Sequence, residues 1–448
     1  MSSRPPLPVG FTVTFDVGTR FGQDDGVLYG GSPWRLLRLT RRGAGLVRSL
    51  RRGAAVDDPA IGALARRLVD AGLAHPHPPV AVSTPALEVV VPAYDRPEAL
   101  AACLDALAGL PVVVVDDASR DPDALARVVG ARSQVRLVRR EVNAGPASAR
   151  NTGVEATTAP AVAFVDSDCL VTPEQLRRLC RHLADPCVGA VAPRITAQPM
   201  PAASAALRGF AGVGSPLDMG CEPVNVRPGG VVGYVPSTVM IVRRAAFEAV
   251  AGFDAGLRVG EDVDFVWRLA DAGWSVRYDP TTRAAHAEPA SWPSWLRRRF
   301  RYGTSAGALG VRHGSRLAGP ALGGLLAPVA VAGLARRSEL RATPMVQAAG
   351  RGVGRTVTGL GRWGLQLWGP ALVVATPGGR KRLAMLTLLA VPPTVRWSRR
   401  RPPVGVLRFV AASLADDTAY AAGVWTGCLR AATWVPLLPK LRAPAADT

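Results

Sequence analysis

Residues 161–170 read AVAFVDSDCL. The apolar run Ala161–Val165 has the length of a buried strand and is too short for an ordinary helix. Asp166 and Asp168 follow at once, split by one serine. A strand that is apolar on both faces belongs in a sheet covered on both sides. In such α/β sheets, ligands gather beyond the carboxyl ends of the strands. The two acids stand where a site would be.

The sequence upstream repeats the device. LEVVVPAYDRP (87–97) reads as a strand and PEALAACLDALAGL (97–110) as a helix. PVVVVDDAS (111–119) is a second apolar strand ending in acids, Asp116 and Asp117. PDALARVVG, QVRLVRR and GPASARNTGVEAT continue as helix, strand and helix. This alternation predicts βαβ units around a parallel sheet beginning near Leu87. Asp116 either caps the next helix or meets a ligand. Asp264 and Arg268 lie one helical turn apart and read as a surface pair.

Before Leu87, residues 1–76 form a small module. FTVTFDV and GVLYGG are short β-type runs, and two short helices follow, capped by Thr40 and by Asp58 before Pro59. Strands followed by helices in this way suggest a winged-helix-like unit. AHPHPPVAVSTPA is Pro-rich, and residues 77–86 read as a linker. The α/β domain then spans 87–300, leaving 301–448 as a helical, Arg-rich region.

Charge divides the chain. Net charge is +20, yet almost all of it falls after residue 290, leaving the front nearly neutral. A basic rear points to nucleic acid or anionic lipid. The uncharged run 317–335, LAGPALGGLLAPVAVAGLA, is long enough to span a bilayer but is rich in Gly, Ala and Pro. Helices lying on an anionic membrane, or packed on the α/β domain, suit it better. The six cysteines show no C-x-x-C pair or zinc spacing, and MSSRPPLPVG lacks a signal-peptide core, so a cytoplasmic setting is expected.

D-x-D at a strand end can hold a divalent cation through hard oxygen ligands. Alone it is a weak signal, since it also marks solvated turns. Here it stands fourth in an ordered series: VVVPAYD, VVVVDDAS, NAGPASARNTG, DSD, and then AGFDAGLRVGEDVDFVWRLADAGW. In this series the chain resembles family 2 glycosyltransferases of the GT-A (Rossmann-like) fold over about 87–290. The resemblance implies a nucleotide pocket at Pro92, Ala93, Tyr94 and Asp95, with Asp117 and Arg150 toward the base or ribose. It implies that Asp166 meets the ribose or metal and that Asp168 ligates Mn²⁺ or Mg²⁺. His286 would join the metal or diphosphate, Asp262 would be the catalytic base, and Glu261 would support it.

The implied chemistry is inverting transfer. An acceptor hydroxyl attacks the anomeric carbon in line with a departing nucleoside diphosphate, so no protein nucleophile is needed. The layout outside the core resembles one branch of the family, which uses UDP-glucose to build a β-1,4-oligoglucoside on a peptide-derived redox cofactor. No Q-x-x-R-W of processive synthases is present; RRRFRYGTSAG (297–307) follows the core instead. Two alternatives stay open: a lipid-carrier or polysaccharide acceptor at the inner face of the cell membrane, and a non-catalytic nucleic-acid binder. The intact D-x-D and E-D, and basic residues lying outside the module, weigh against nucleic acid as a partner.

Overall fold

The computed structural model describes residues 4–22, 25–32, 34–317, 319–321, 361 and 363–440. The chain forms two compact units: Met1–Pro199 with Pro216–Ala287, and Met200–Ser215 with Glu288–Thr448.

The first unit is built on a nine-stranded sheet. Four parallel strands form one side of it, from the edge inward: β8 (Val135–Arg139), β7 (Val112–Asp116), β6 (Leu87–Ala93) and β9 (Ala161–Val165). Val89, Val91, Val112, Val114, Ala163 and Val165 are all buried in its largest apolar cluster. The expected parallel sheet is therefore present, but it continues as a mixed one. β13 (Val239–Arg243) joins β9 antiparallel; β11 (Val188–Ala197) and β14 (Ser275–His286) extend it, and β10 (Cys169–Leu170) and β12 (Val224–Val226) pair with β14. These later strands lack acids at a shared end, so their direction was not legible from pattern.

The helices α3 (Pro97–Ala106), α4 (Pro122–Gly130) and α5 (Pro146–Glu155) all begin on proline, which is preorganised for a first helical turn. α5 lies close on the sheet because Gly153 has no side chain. A Cβ there would press into Val90 of β6 and Val115 of β7.

The N-terminal segment has its own apolar cluster, with Leu28, Val47, Leu50, Leu64 and Leu68 buried. Helices α1 (Arg41–Arg51) and α2 (Pro59–Asp70) carry the expected caps, with Thr40 and Asp58 accepting backbone N–H groups. Two small antiparallel sheets flank them, one pairing β1 (Thr12–Phe15) with β5 (Ala74–His77) and one holding β2 (Arg20–Phe21), β3 (Val27–Gly30) and β4 (Arg35–Arg38). This N-terminal segment packs with the α/β sheet in the same unit. Arg66 of α2 donates to Asp185 at 2.5 Å with both side chains buried, and Arg4 reaches Ser275 at 3.1 Å. A buried charge pair that has lost its water resists separation, because parting it strands both charges.

The second unit contains α7 (Ala205–Gly214), α10 (Trp292–His313), α11 (Gly369–Ala375), α12 (Gly379–Arg400) and α13 (Val406–Arg430). Of the stretch read as the α/β domain, 87–300, residues 200–215 and 288–300 fall in this unit. Gly303 and Gly307 of α10 face Gly423 and Gly427 of α13 so closely that a Cβ on any of them would strike the opposite backbone. Among the described residues no helix is long and apolar enough to cross a membrane. Most of the run 317–335 lies outside the described residues.

Gly153 and Gly130 give opposite expectations for the same substitution. Gly153→Ala should cost about 1–3 kcal/mol by overpacking against the sheet. Gly130→Ala, with no atom near its Cβ position, should gain about 0.5–1 kcal/mol through reduced chain entropy. Urea midpoints of the two variants check the difference in sign.

Candidate functional site

β6, β7 and β9 run parallel, so their carboxyl ends share one edge of the sheet. Tyr94 and Asp95, Asp117, and Asp166 with Asp168 leave from that edge. The loop geometry there is strained: Asp95, Arg96 and Ala118 hold positive φ of 55°, 56° and 61°. Non-glycine residues keep such values only where surrounding contacts enforce them. Those contacts are present. Asp95 donates its N–H to Ser119 Oγ at 2.8 Å, and its carboxylate accepts Arg120 N at 3.0 Å and Arg120 Nε at 2.9 Å. The Arg120 backbone N–H, then its guanidinium, hold the Asp95 carboxyl below its usual pKa.

The other residues of the expected nucleotide pocket differ in what they present. Tyr94 is half-exposed, whereas Ala93 is buried in the core and offers only its carbonyl, which accepts Asp117 N–H at 2.9 Å. Pro92 is partly buried within β6. Asp116 accepts Ser119 N–H at 2.8 Å and pairs with Arg139, closing the turn after β7; Asp121 caps α4 instead. Asp117 accepts Gly145 N–H at 2.7 Å and Ala144 N–H at 3.2 Å. Its carboxylate thereby holds the start of α5.

Arg150 on α5 joins two motifs. Nη2 donates to Asp166 Oδ1 at 2.6 Å, and Nη1 donates to Glu261 Oε1 at 3.0 Å. Burial alone would lower the Arg150 pKa, but Asp166 and then Glu261 overcome it and raise the value. The next residue, Asn151, grips the backbone of Phe253 from both sides: its Nδ2 donates to Phe253 O at 2.7 Å, and its Oδ1 accepts Phe253 N–H at 2.9 Å. Phe253 stacks on Phe265 of α9 (Glu261–Asp271) with centroids 4.3 Å apart, and meets Phe164 of β9 edge-on at 5.2 Å. One turn of α5 therefore holds both the D-x-D and the loop leading to the E-D. Sequence reading passed over Asn151 and Phe253; the only signal was the place of Asn151 beside Arg150 in the N-x-G-x-x-x-A-R-N run.

Asp262 is partly exposed at the start of α9 and accepts Val263 N–H at 2.8 Å. Desolvation, and then the charge of Glu261, push its carboxyl up to about 7. Asp264, read as one half of a surface pair, is fully buried. It accepts Arg268 Nε at 2.8 Å, and Arg268 donates onward to Gly252 O at 2.8 Å. The pair is real but internal, supporting the loop before the E-D. Trp267 is core, donating to Gly233 O at 2.8 Å.

Asp168 lies between His286 Nε2, 3.6 Å from Oδ1, and Arg96 Nη1, 3.3 Å from Oδ2. Cys169 and His286 are register partners across β10 and β14, which brings His286 to the D-x-D over a long sequence distance. Burial raises the Asp168 pKa, with Asp166 adding to it against the pull of His286 and Arg96. A divalent cation would offset that desolvation; the carboxylates suit Mn²⁺ or Mg²⁺, and a nitrogen ligand such as His286 is better matched to Mn²⁺ than to the harder Mg²⁺. Among the described residues no group of three or more His, Cys, Asp or Glu side chains is drawn together as an ion cage. The donor set fits a cation held by one or two carboxylates and completed by substrate phosphates.

The family model for glycosyl transferase family 2 matches residues 88–250. A pre-mycofactocin glycosyltransferase of Mycobacterium tuberculosis is 36% identical over 470 residues, covering 97% of this chain and 99% of that protein. The likeness thus includes the N-terminal segment and the second unit. An N-acetylglucosaminyltransferase of Sinorhizobium fredii is 26% identical over 244 residues, 49% of this chain and 57% of its own. A solved mannosyltransferase of Pyrobaculum calidifontis aligns with TM-score 0.45 and 18% identity, covering 77% of this chain and 88% of that one.

Arg150→Met should leave Asp166 and Glu261 facing each other without their shared cation. The expected cost is about 3–5 kcal/mol of stability, as for a broken buried pair. Urea denaturation measures it, and wild-type stability in that variant would refute the bridge as a support.

Proposed function

The chain belongs to glycosyl transferase family 2, and from that premise we propose that it transfers glucose from UDP-glucose onto premycofactocin. It is a glycosyltransferase; the donor, the acceptor, the metal and the residue roles are the proposal. The observation that carries the roles is the junction at Arg150, where the D-x-D carboxylate Asp166 and the E-D carboxylate Glu261 share one buried guanidinium. The acceptor is supported by the near full-length likeness to a protein named for that activity.

In the proposed reaction an acceptor hydroxyl approaches the anomeric carbon from the side opposite the diphosphate. Asp262 takes the hydroxyl proton as the new C–O bond forms, and the old C–O electron pair leaves with the diphosphate. Attack from the opposite face inverts the centre, giving a β-linkage from an α-linked donor. A base near pH 7 in pKa suits this step, since it is deprotonated in a useful fraction yet basic enough to accept the proton. Glu261 sustains that basicity by its charge, and Arg150 keeps Glu261 in place. Asp168 and His286 would hold Mn²⁺ or Mg²⁺, which when bound neutralises charge developing on the leaving diphosphate. Repetition on a glucose already transferred would yield a β-1,4-oligoglucoside.

The nucleotide would lie along the ends of β6 and β7. Tyr94 offers an exposed ring there, and the strained Asp95–Arg96 turn offers backbone and guanidinium groups. Asp117 would act through the backbone turn that it holds. We take the enzyme to work in the cytoplasm, with its basic second unit able to approach the inner face of the membrane. A lipid-linked acceptor is the second reading, favoured by exposed Leu and Val side chains on that unit.

The pH profile tests the base. Transfer should rise with pH through about 7 as Asp262 loses its proton, and level off above. Glu261→Gln removes a charge that raises the Asp262 pKa, so the rise should move to lower pH even as the maximum falls. Asp262→Asn should lower kcat by 100-fold or more, within the span of general base catalysis (about 10²–10⁴). A wild-type profile in Asp262→Asn would sink the assignment.

The cation site has a separate test. Asp168→Ala should weaken Mn²⁺ binding, measured directly by the ion's electron paramagnetic resonance, and abolish transfer from UDP-glucose to premycofactocin. Equal Mn²⁺ affinity in the variant would remove Asp168 from the site.

A further inference from the structure

α12 turns one side to its own unit and the other outward. Leu389 and Pro393 are buried, Arg396 donates to Ser413 Oγ at 2.8 Å on α13, and Trp397 Nε1 donates to Val404 O at 2.7 Å. Helical spacing places Leu388, Val391 and Val395 together on the other side, and all three are exposed; Leu383 and Leu386, also exposed, fall nearer the flank of the buried side. The first turn of α13 exposes Leu407 at 81%. An arc of aliphatic side chains left in water this way marks an interaction surface.

The charges around the arc identify its partner. Arg380, Lys381 and Arg382 precede the uncharged stretch Leu383–Val395, and Arg399, Arg400 and Arg401 follow it, all exposed. No Asp or Glu occurs between Glu339 and Asp416. The uncharged stretch is about 20 Å long at 1.5 Å per residue, well short of a hydrocarbon core of about 30 Å. Such a helix can lie in the headgroup region with aliphatic side chains down and cations among anionic heads. Pairing with a second copy through the same face would set basic ends against basic ends, because both ends carry the same sign.

We propose that the exposed side of α12 is a docking surface for an anionic lipid bilayer, on which the helix lies without crossing. This rests on the membrane part of the functional reading and is independent of acceptor and donor. It would bring the second unit to the membrane surface.

Full-length protein would be sedimented with phosphatidylcholine vesicles, with and without phosphatidylglycerol, at low and high salt. Binding is expected only with phosphatidylglycerol and is expected to fall as salt rises. Leu388→Asp with Val391→Asp removes the apolar contact, and Arg399→Gln with Arg400→Gln and Arg401→Gln removes one basic cluster. Each set should weaken binding on the order of tenfold or more. These side chains are exposed, so circular dichroism melts should match wild type, and sugar transfer to a soluble acceptor should persist in both. Failure of wild type to sediment, equal binding to neutral vesicles, or undiminished binding by the aspartate variant would overturn the proposal. So would a concentration-dependent dimer, seen by light scattering, that the aspartate variant breaks without any vesicle binding. Loss of transfer in Asp262→Asn alongside normal vesicle binding would separate catalysis from docking.

Discussion

A buried guanidinium with two carboxylates organises the carboxyl edge of the sheet in this enzyme. Arg150 is almost wholly removed from water and gives one arm to Asp166 and the other to Glu261. A planar cation with several fixed donors can serve two acids at once, which a lysine ammonium does less well. The bridge sets α9 against the end of β9, and with it Asp262. Its own position depends on how closely α5 sits on the sheet, and Gly153 allows that approach. Asn151 extends the same grip to Phe253, whose ring packs between β9 and α9.

Around that bridge the acids are differentiated by surroundings rather than by type. Asp95, Asp116 and Asp117 accept backbone N–H groups and serve the loops. Asp168 and Asp262 lack such full compensation, and burial pushes both upward in pKa. Carboxylates that differ this way can take different parts in one reaction. The Asp262 carboxyl is suited to receive a proton near neutral pH. Asp168, beside His286, is suited to share a cation with a diphosphate.

The two units carry different physical character. The first is close to charge balance, and its buried pairs, Arg66 with Asp185 among them, lock the N-terminal segment to the α/β sheet. The second holds the excess of arginine; its α10–α13 crossing combines close glycine contacts with clusters of large side chains such as Phe210, Trp295 and Phe409.

Much of this was legible from residues alone. Apolar runs ending in acids revealed β6, β7 and β9 and their common edge, because a doubly buried strand must be apolar and acids can stand only beyond its end. Motif order pointed to Asp166, Asp168, Glu261, Asp262, Arg150 and His286 as candidates, and the caps at Thr40 and Asp58 follow from backbone donors that any helix start must satisfy. Tertiary structure decided what local pattern cannot carry. It turned Ala93 into the core, since successive strand residues face opposite ways, and it gave Asp117 to the α5 turn. It buried Asp264 beneath a loop that sequence separates from it. The antiparallel strands, the hold of Asn151 on Phe253 and the approach of His286 to Asp168 all join residues distant in the chain. Such contacts depend on which surfaces meet once the apolar faces are buried, and local spacing records only one side of each meeting.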